Sequence, residues 1–209
     1  MKVIENWNGL GLRASGSGDV VFEECLVSSS ELSMKGDWGK RDDRSLEARV
    51  ASTAPLLGVS MGLISAARSQ AKAHVAARQN RPNQGLSATE VDLLSEIEVA
   101  AGSATASFHF LFSRLDRELS DARSGSLSAP QARDLMSHTV IAGAAMERSA
   151  IRVVDLAMQV CGGAAFTALH PLGRMLRDSR ALFFMRPYTP INQWRDFLAE
   201  THLMPDESM

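Results

Sequence analysis

Apolar residues recur along this chain with two different periods. Between Val50 and Val75 they fall at alternating steps of three and four: Val50, Ala54, Leu57, Met61, Ile64, Ala71 and Val75, with Arg68 interrupting. A second such stripe runs through Val91, Leu94, Ile97, Ala101, Ala104, Phe108, Leu111, Leu115 and Leu119. A third runs through Ala132, Leu135, Thr139, Ala142, Met146, Ser149, Val153, Leu156 and Val160. This is the period of an amphipathic helix. Each stripe predicts a helix of roughly 30 residues, ~45 Å long at ~1.5 Å per residue. The start signals agree. Ser87-Ala-Thr-Glu90 is a capping box, and Pro130 and Gln131 after Ser128 suit a first helical turn.

The N-terminal stretch reads differently. Residues 1–27 are expected to be strands. Asp19 to Val27 is rich in β-branched and apolar residues, and Gly16-Ser-Gly18 before it signals a turn. Residues 28–43 are polar and read as a connector. A shorter helix is predicted from about Pro171 to Phe184, stopped by Pro187 and Pro190, with a last turn or two over Ile191–Leu198. The division is therefore 1–43, a β segment with its connector, and 44–209, a helical domain. Long stripes joined by short loops call for near-antiparallel packing. The predicted fold class is mainly α, an up-and-down four-helix bundle with a short N-terminal β segment.

Composition adds few constraints. Apolar content of 45% and charged content of 22% are ordinary for a globular protein. A net charge of -2 offers no field for nucleic acid or an anionic membrane, so neither partner is expected. No apolar run is expected to span a bilayer. With no secretion signal and two distant cysteines, Cys25 and Cys161, a cytoplasmic protein with reduced thiols is the simple expectation.

Several chemistries can be weighed. Gly9-Leu-Gly11 with Gly16 faintly suggests a dinucleotide loop, but a strand follows where a helix is needed, and a turn-rich hairpin is the better reading. A di-iron bundle needs Glu-x-x-His pairs, and the chain has none; His74, His109 and His138 stand singly, so no metal is expected. No Gly-x-Ser-x-Gly elbow occurs. After the third stripe come Gln159, Gly162-Gly163, Phe166, His170-Pro171 and then Arg174, Arg177, Asp178, Arg180 and Arg186. Arginines at 174, 177 and 180 place cations along one side of a helix, and Arg grips phosphates in a fork. A Gly pair admits close approach of a ligand. A solvated face with Asp178 as ion-pair partner, behind a Gly C-cap, accounts for the same residues.

Gln159, Gly162, Gly163, Phe166, Pro171, Arg174, Arg177 and Asp178 together resemble the acyl-CoA dehydrogenase superfamily, at the segment where one subunit reaches its neighbour's flavin. Trp7-Asn-Gly-Leu-Gly11-Leu-Arg13-Ala-Ser15-Gly-Ser17-Gly-Asp19-Val-Val-Phe22 resembles the last strands of that family's middle β-domain. The resemblance implies a flavoprotein oxidoreductase using FAD. Its cofactor-binding residues would be Arg78, at the end of the first bundle helix, with Gln159, Gly162, Gly163, Arg174 and Arg177. It implies a homodimer or tetramer built on the bundle. It also implies that the N-terminal helical domain and most of the β-domain lie outside this chain, with a second chain as a candidate source. FAD binding by the isolated chain is then expected to be weak or absent.

Two departures bear on the activity. The family's catalytic Glu would fall at Met185-Arg186-Pro187, where Arg is always a donor and cannot act as base. Some members of the family carry the base on the first bundle helix instead; there Glu47 is the only early carboxylate and gives no clear replacement, so no catalytic residue is assigned. The family's aromatic after the pyrophosphate Arg is replaced by about Arg81. Related flavin-dependent monooxygenases also lack the Glu. Three functions follow: an acyl-CoA dehydrogenase-like flavoprotein, the C-terminal part of a flavin-dependent monooxygenase, and a non-catalytic oligomerisation module.

Overall fold

The structure, a computed structural model, describes residues 1–28, 44–79, 85–121, 127–184 and 191–202, with only the backbone for 44–49, 51–56, 119, 121, 129, 183 and 191–195. Three long helices dominate: α1 (Arg44–Gln79), α2 (Ala88–Asp121) and α3 (Ala129–Cys161). Two shorter ones follow, α4 (Pro171–Ala181) and α5 (Ile191–His202). The last is a full 12-residue helix rather than a turn or two.

Cross-helix ion pairs give the helix directions. Arg68 and Lys72 meet Glu98, and Arg78 meets Glu90, so α1 and α2 run antiparallel. Arg114 meets Asp134 and Arg152 meets Glu96, so α2 and α3 do too. The thiol of Cys161 donates to the Gln70 carbonyl at 3.9 Å, which fits parallel α1 and α3. This is the up-and-down order. The central element is α3, which packs against α1, α2, α4 and α5. Its interior holds Leu135, Met146, Val153, Leu156 and Ala157, fully or almost fully buried. Burying each of the Leu, Met and Val side chains among them is worth about 1.5–3 kcal/mol.

The predicted stripes form the core with few exceptions. Val50, Leu57, Ile64, Ala71 and Val75 of α1 are buried, as are Ile97, Ala101, Ala104, Leu111 and Leu115 of α2. Val91 is exposed instead, because it lies in the first turn of α2. The third stripe contains a hydroxyl, Thr139, whose Oγ1 donates back to the Leu135 carbonyl at 2.8 Å and so needs no other partner. Val59 and Leu63, beside the main stripe of α1, are half-buried against the same core. Central position also explains why Pro130–Phe166, contrary to expectation, is apolar and long enough by composition to cross a bilayer. Such a sequence suits a helix enclosed by other helices.

Both helix starts are capped. Ser87 Oγ accepts from the Glu90 amide at 3.2 Å while the Glu90 carboxylate accepts from the Ser87 N–H at 2.9 Å. Ser128 and Gln131 repeat the arrangement at α3. The N-terminal sheet is smaller than the pattern predicts. Only β1 (Lys2–Ile4) and β2 (Asp19–Val21) pair, antiparallel, with Val3 opposite Val20. Past Val21 no strand continues: Phe22, Leu26 and Val27 are exposed and Glu24 adopts a positive φ of 49°. β-propensity needs a partner strand and a surface to pack on, and residues 22–27 have neither among the described residues.

Candidate functional site

The end of α3 is set by one glycine. Gly162 has φ 63° and ψ −153°, a backbone region essentially reserved for Gly, and its N–H donates to the Met158 carbonyl. The chain then makes a tight turn over Gly162–Phe166 in which Ala165 is buried and Phe166 stands exposed. At neither Gly162 nor Gly163 would a Cβ meet any atom within 4 Å. The pair therefore forms an open shelf of backbone, beside the exposed Gln159.

His170 then caps α4, its Nδ1 accepting from the Leu172 N–H at 3.3 Å, with Pro171 at the first helical position. Leu172, Met175 and Ser179 face the core. Arg174 and Arg177 face solvent, with Arg177 donating to the Gly173 carbonyl of its own helix at 2.9 Å. The expected line of three arginines divides here. Arg180 is drawn to α3, gripping both oxygens of Asp155 at 2.9 and 3.0 Å. The reason is helical geometry: at 3.6 residues per turn, two steps of three residues rotate a side chain by ~120°. Asp178 is an ion-pair partner, 3.7 Å from Arg174 Nε, and also accepts a hydrogen bond from the distant Leu12 N–H at 2.7 Å.

Arg78 is engaged elsewhere. Its guanidinium pairs with Glu90, donating at 2.7 Å, and so extends the α2 cap across to α1. The Ser87 amide and hydroxyl, followed by Arg78, hold the Glu90 carboxyl down at about 2. Arg78 lies at the same end of the bundle as the end of α3, because α1 and α3 run parallel. The Met185–Pro187 and Arg81 positions lie outside the described residues, as does the Glu47 side chain. Among the described residues no group of three or more His, Cys, Asp or Glu could hold a metal ion.

A nucleotide fits this end in part. The bare Gly162–Gly163 shelf, the Gln159 amide and the solvent-facing guanidinium groups of Arg174, which also meets Asp178, and of Arg177 suit a phosphate and its ester. None of them forms an apolar slot for a planar ring system. Two features were not legible in the sequence: the Leu12–Asp178 contact, which joins residues 166 apart, and a buried carboxylate, Glu147, one oxygen of which has no hydrogen-bond partner. Gly11 and Asp178 each stood in a recognisable motif, but nothing in either motif linked the two.

Known proteins agree with this architecture. Residues 48–186 match the family described as acyl-CoA dehydrogenase, C-terminal domain. An amino sugar nitrososynthase of Streptomyces peucetius is 34% identical over 203 residues, 97% of this chain and 48% of the relative. The L-evernosamine nitrososynthase of a Micromonospora species is 34% identical over 92% of this chain and 44% of its own length. Among solved structures, KijD3 in complex with FMN and dTDP-3-amino-2,3,6-trideoxy-4-keto-3-methyl-D-glucose superposes with a TM-score of 0.83 at 33% identity, over 99% of this chain and 49% of that one. The nitrososynthase of Micromonospora carbonacea var. africana gives 0.84 at 32%, over 98% and 50%. The chain thus spans about half the length of the relatives it matches. By its matched residues and its bundle alike, this chain belongs to the acyl-CoA dehydrogenase family through its C-terminal domain.

Proposed function

We propose that these residues form the C-terminal part of a flavin-dependent monooxygenase that oxygenates the amino nitrogen of a nucleotide-linked amino sugar. The observation that carries this is the 32–34% identity, along nearly the whole chain, to proteins named as nitrososynthases. Dehydrogenation of an acyl thioester, the first expectation from the family, is the weaker reading. It needs a positioned carboxylate base, and Arg186 occupies the corresponding stretch.

A reduced flavin would supply the electrons and the activated oxygen. The chain's own residues hold and orient. Arg174 and Arg177 neutralise a phosphate, the bare backbone of the Gly162–Gly163 shelf lets it approach closely, and Gln159 offers a donor and an acceptor at the rim. Arg78 contributes charge at the same end while remaining tied to Glu90. Whether the flavin is FMN or FAD is decided by a direct comparison. Purified chain is titrated with each by flavin fluorescence. Weak binding is expected, and the double variant Arg174→Ala/Arg177→Ala weakens it by about 10- to 100-fold, the loss expected of one or two charge-assisted contacts. With reduced flavin, oxygen and a dTDP-linked 3-amino sugar, mass spectrometry should find an N-oxygenated product, while acyl-CoAs give no dye reduction. Dye reduction that Glu47→Gln abolishes would restore the dehydrogenase reading. Silence in both assays would leave a non-catalytic module.

The same reading includes self-association. One face of α2 is uncharged and exposed: Val99 at 65% and Phe110 at 60%, with Gly102, Ser103 and Ala106 between them. The Ser95, Ser103 and Ser107 hydroxyls donate to carbonyls one turn back at 2.8–3.0 Å, which leaves this face effectively apolar. Contiguous apolar surface of this kind marks an interface. Light scattering at micromolar concentration should give at least twice the chain mass, and Phe110→Asp should return it to one.

A further inference from the structure

The N-terminal turn meets α4 backbone to backbone. A Cβ on Gly11 would lie 2.3 Å from the Arg177 carbonyl oxygen and 3.0 Å from the Asp178 nitrogen, so only glycine fits. The next residue, Leu12, is left-handed, with φ 49° and ψ 40°, which an ordinary side chain adopts only when its surroundings enforce it. That conformation delivers the Leu12 N–H to Asp178 Oδ1 at 2.7 Å. Within the turn the Trp7 indole N–H donates to the Leu12 carbonyl at 3.3 Å, and Arg13 Nε donates to the Gly9 carbonyl at 3.2 Å. The turn is therefore held together internally and fastened to α4 through one carboxylate. The second oxygen of that carboxylate faces Arg174 Nε at 3.7 Å.

We propose that Asp178 is a positioning residue that couples the N-terminal turn to the cationic edge of α4. One oxygen fixes the Gly11–Leu12 backbone, the other restrains Arg174, and the anion affinity of Arg174 and Arg177 depends on a segment 166 residues away. The coupling is reciprocal: an anion held at that edge tightens the turn. The proposal deepens the flavin-binding reading and makes a prediction opposite in sign to simple electrostatics. A carboxylate beside two arginines repels a phosphate, so as a mere charge its removal tightens anion binding by any route. As a positioning group, its removal loosens the site unless the acceptor is kept.

Three variants separate these cases. Asp178→Asn keeps an acceptor for the Leu12 N–H and removes the charge. Asp178→Leu removes both. Gly11→Ala changes no charge and forces the backbones apart. Hydrogen exchange of the Leu12 amide reads the fastening, and equilibrium dialysis reads binding of FMN and, separately, of inorganic pyrophosphate. In Asp178→Leu and Gly11→Ala the Leu12 amide should exchange at least about tenfold faster and both anions should bind about tenfold more weakly, as expected for loss of a charged hydrogen bond. Asp178→Asn should bind both at least as tightly as the wild type. A purely structural role would lower stability in all three without that split between Asn and Leu. Leu12 exchange unchanged in Asp178→Leu, or anion binding tightened equally in Asn and Leu, overturns the proposal. If FMN fails to bind the wild type while pyrophosphate shows the expected pattern, the flavin reading falls and the positioning role stands.

Discussion

Replacing Glu147 with glutamine raises the melting temperature at pH 8 and leaves it nearly unchanged at pH 5. Glu147 sits on α3, the helix enclosed on most sides; it is buried, and its Oε1 has no hydrogen-bond partner. Burial pushes its carboxyl up from 4.5 to about 7, opposed weakly by Arg148. Below pH ~4.5 the group is protonated in both folded and unfolded chains. Between 4.5 and 7 the unfolded chain has released the proton and the folded chain still holds it, so stability falls as pH rises. Above 7 the full penalty remains. At ~1.4 kcal/mol per pKa unit the difference amounts to about 3 kcal/mol. For a chain of this size that is roughly 6–12 °C. Glutamine has the same shape and no charge, and its buried amide is as poorly satisfied as the neutral carboxyl, so comparing the two pH values isolates the ionisation. Thermal melts of both proteins across pH 5–8 provide the check. Equal shifts at both ends, or a loss at pH 8, would show that the carboxylate has a cation beside it in the assembled protein.

Leu156→Ala should destabilise the chain by about 2–5 kcal/mol, the range for emptying a buried leucine site. Leu156 is 1% exposed and lies on α3 one turn before Gln159. It belongs to the buried core cluster, where the surrounding helices relax only partly into a gap. Denaturant unfolding should show a lower midpoint with an unchanged slope. Val91→Ala, in the exposed first turn of α2, should stay within about 0.5 kcal/mol. A Leu156→Ala loss below about 1 kcal/mol would mean that the α3 interior is not close-packed. The position also tests how far the glycine shelf depends on what lies beneath it, because the same variant should weaken flavin binding if the end of α3 loosens.

Much of this protein was legible before any coordinates. A period of three and four over Val50–Val75, Val91–Leu119 and Ala132–Val160 specifies long helices, each with an apolar stripe, and Ser87 with Glu90 fixes where α2 begins. These are local properties: side-chain spacing and backbone capping need no distant partner. The motif from Gln159 to Asp178 was equally visible, as was the glycine that ends α3. The length of the N-terminal strands was not. Asp19–Val27 has strand composition, but only Asp19–Val21 finds a pairing partner, and strand length is set by the partner.

Tertiary structure decided how the candidate residues are used. Arg78, Arg174, Arg177 and Arg180 are alike in sequence, yet Glu90 takes the first, Asp155 takes the last and Asp178 restrains Arg174, while Arg177 faces solvent with only a carbonyl of its own helix as partner among the described residues. A guanidinium is committed by whichever carboxylate the packing brings within reach, and that depends on helix register. Gly11 meets Arg177 and Leu12 meets Asp178 only because the fold closes a loop of more than 160 residues. Glu147 falls between the first-rank core positions of α3, where a glutamate on an isolated helix would face water. It is buried because α3 packs against α1, α2, α4 and α5 at once, a fact about the assembly of helices that no single stripe contains.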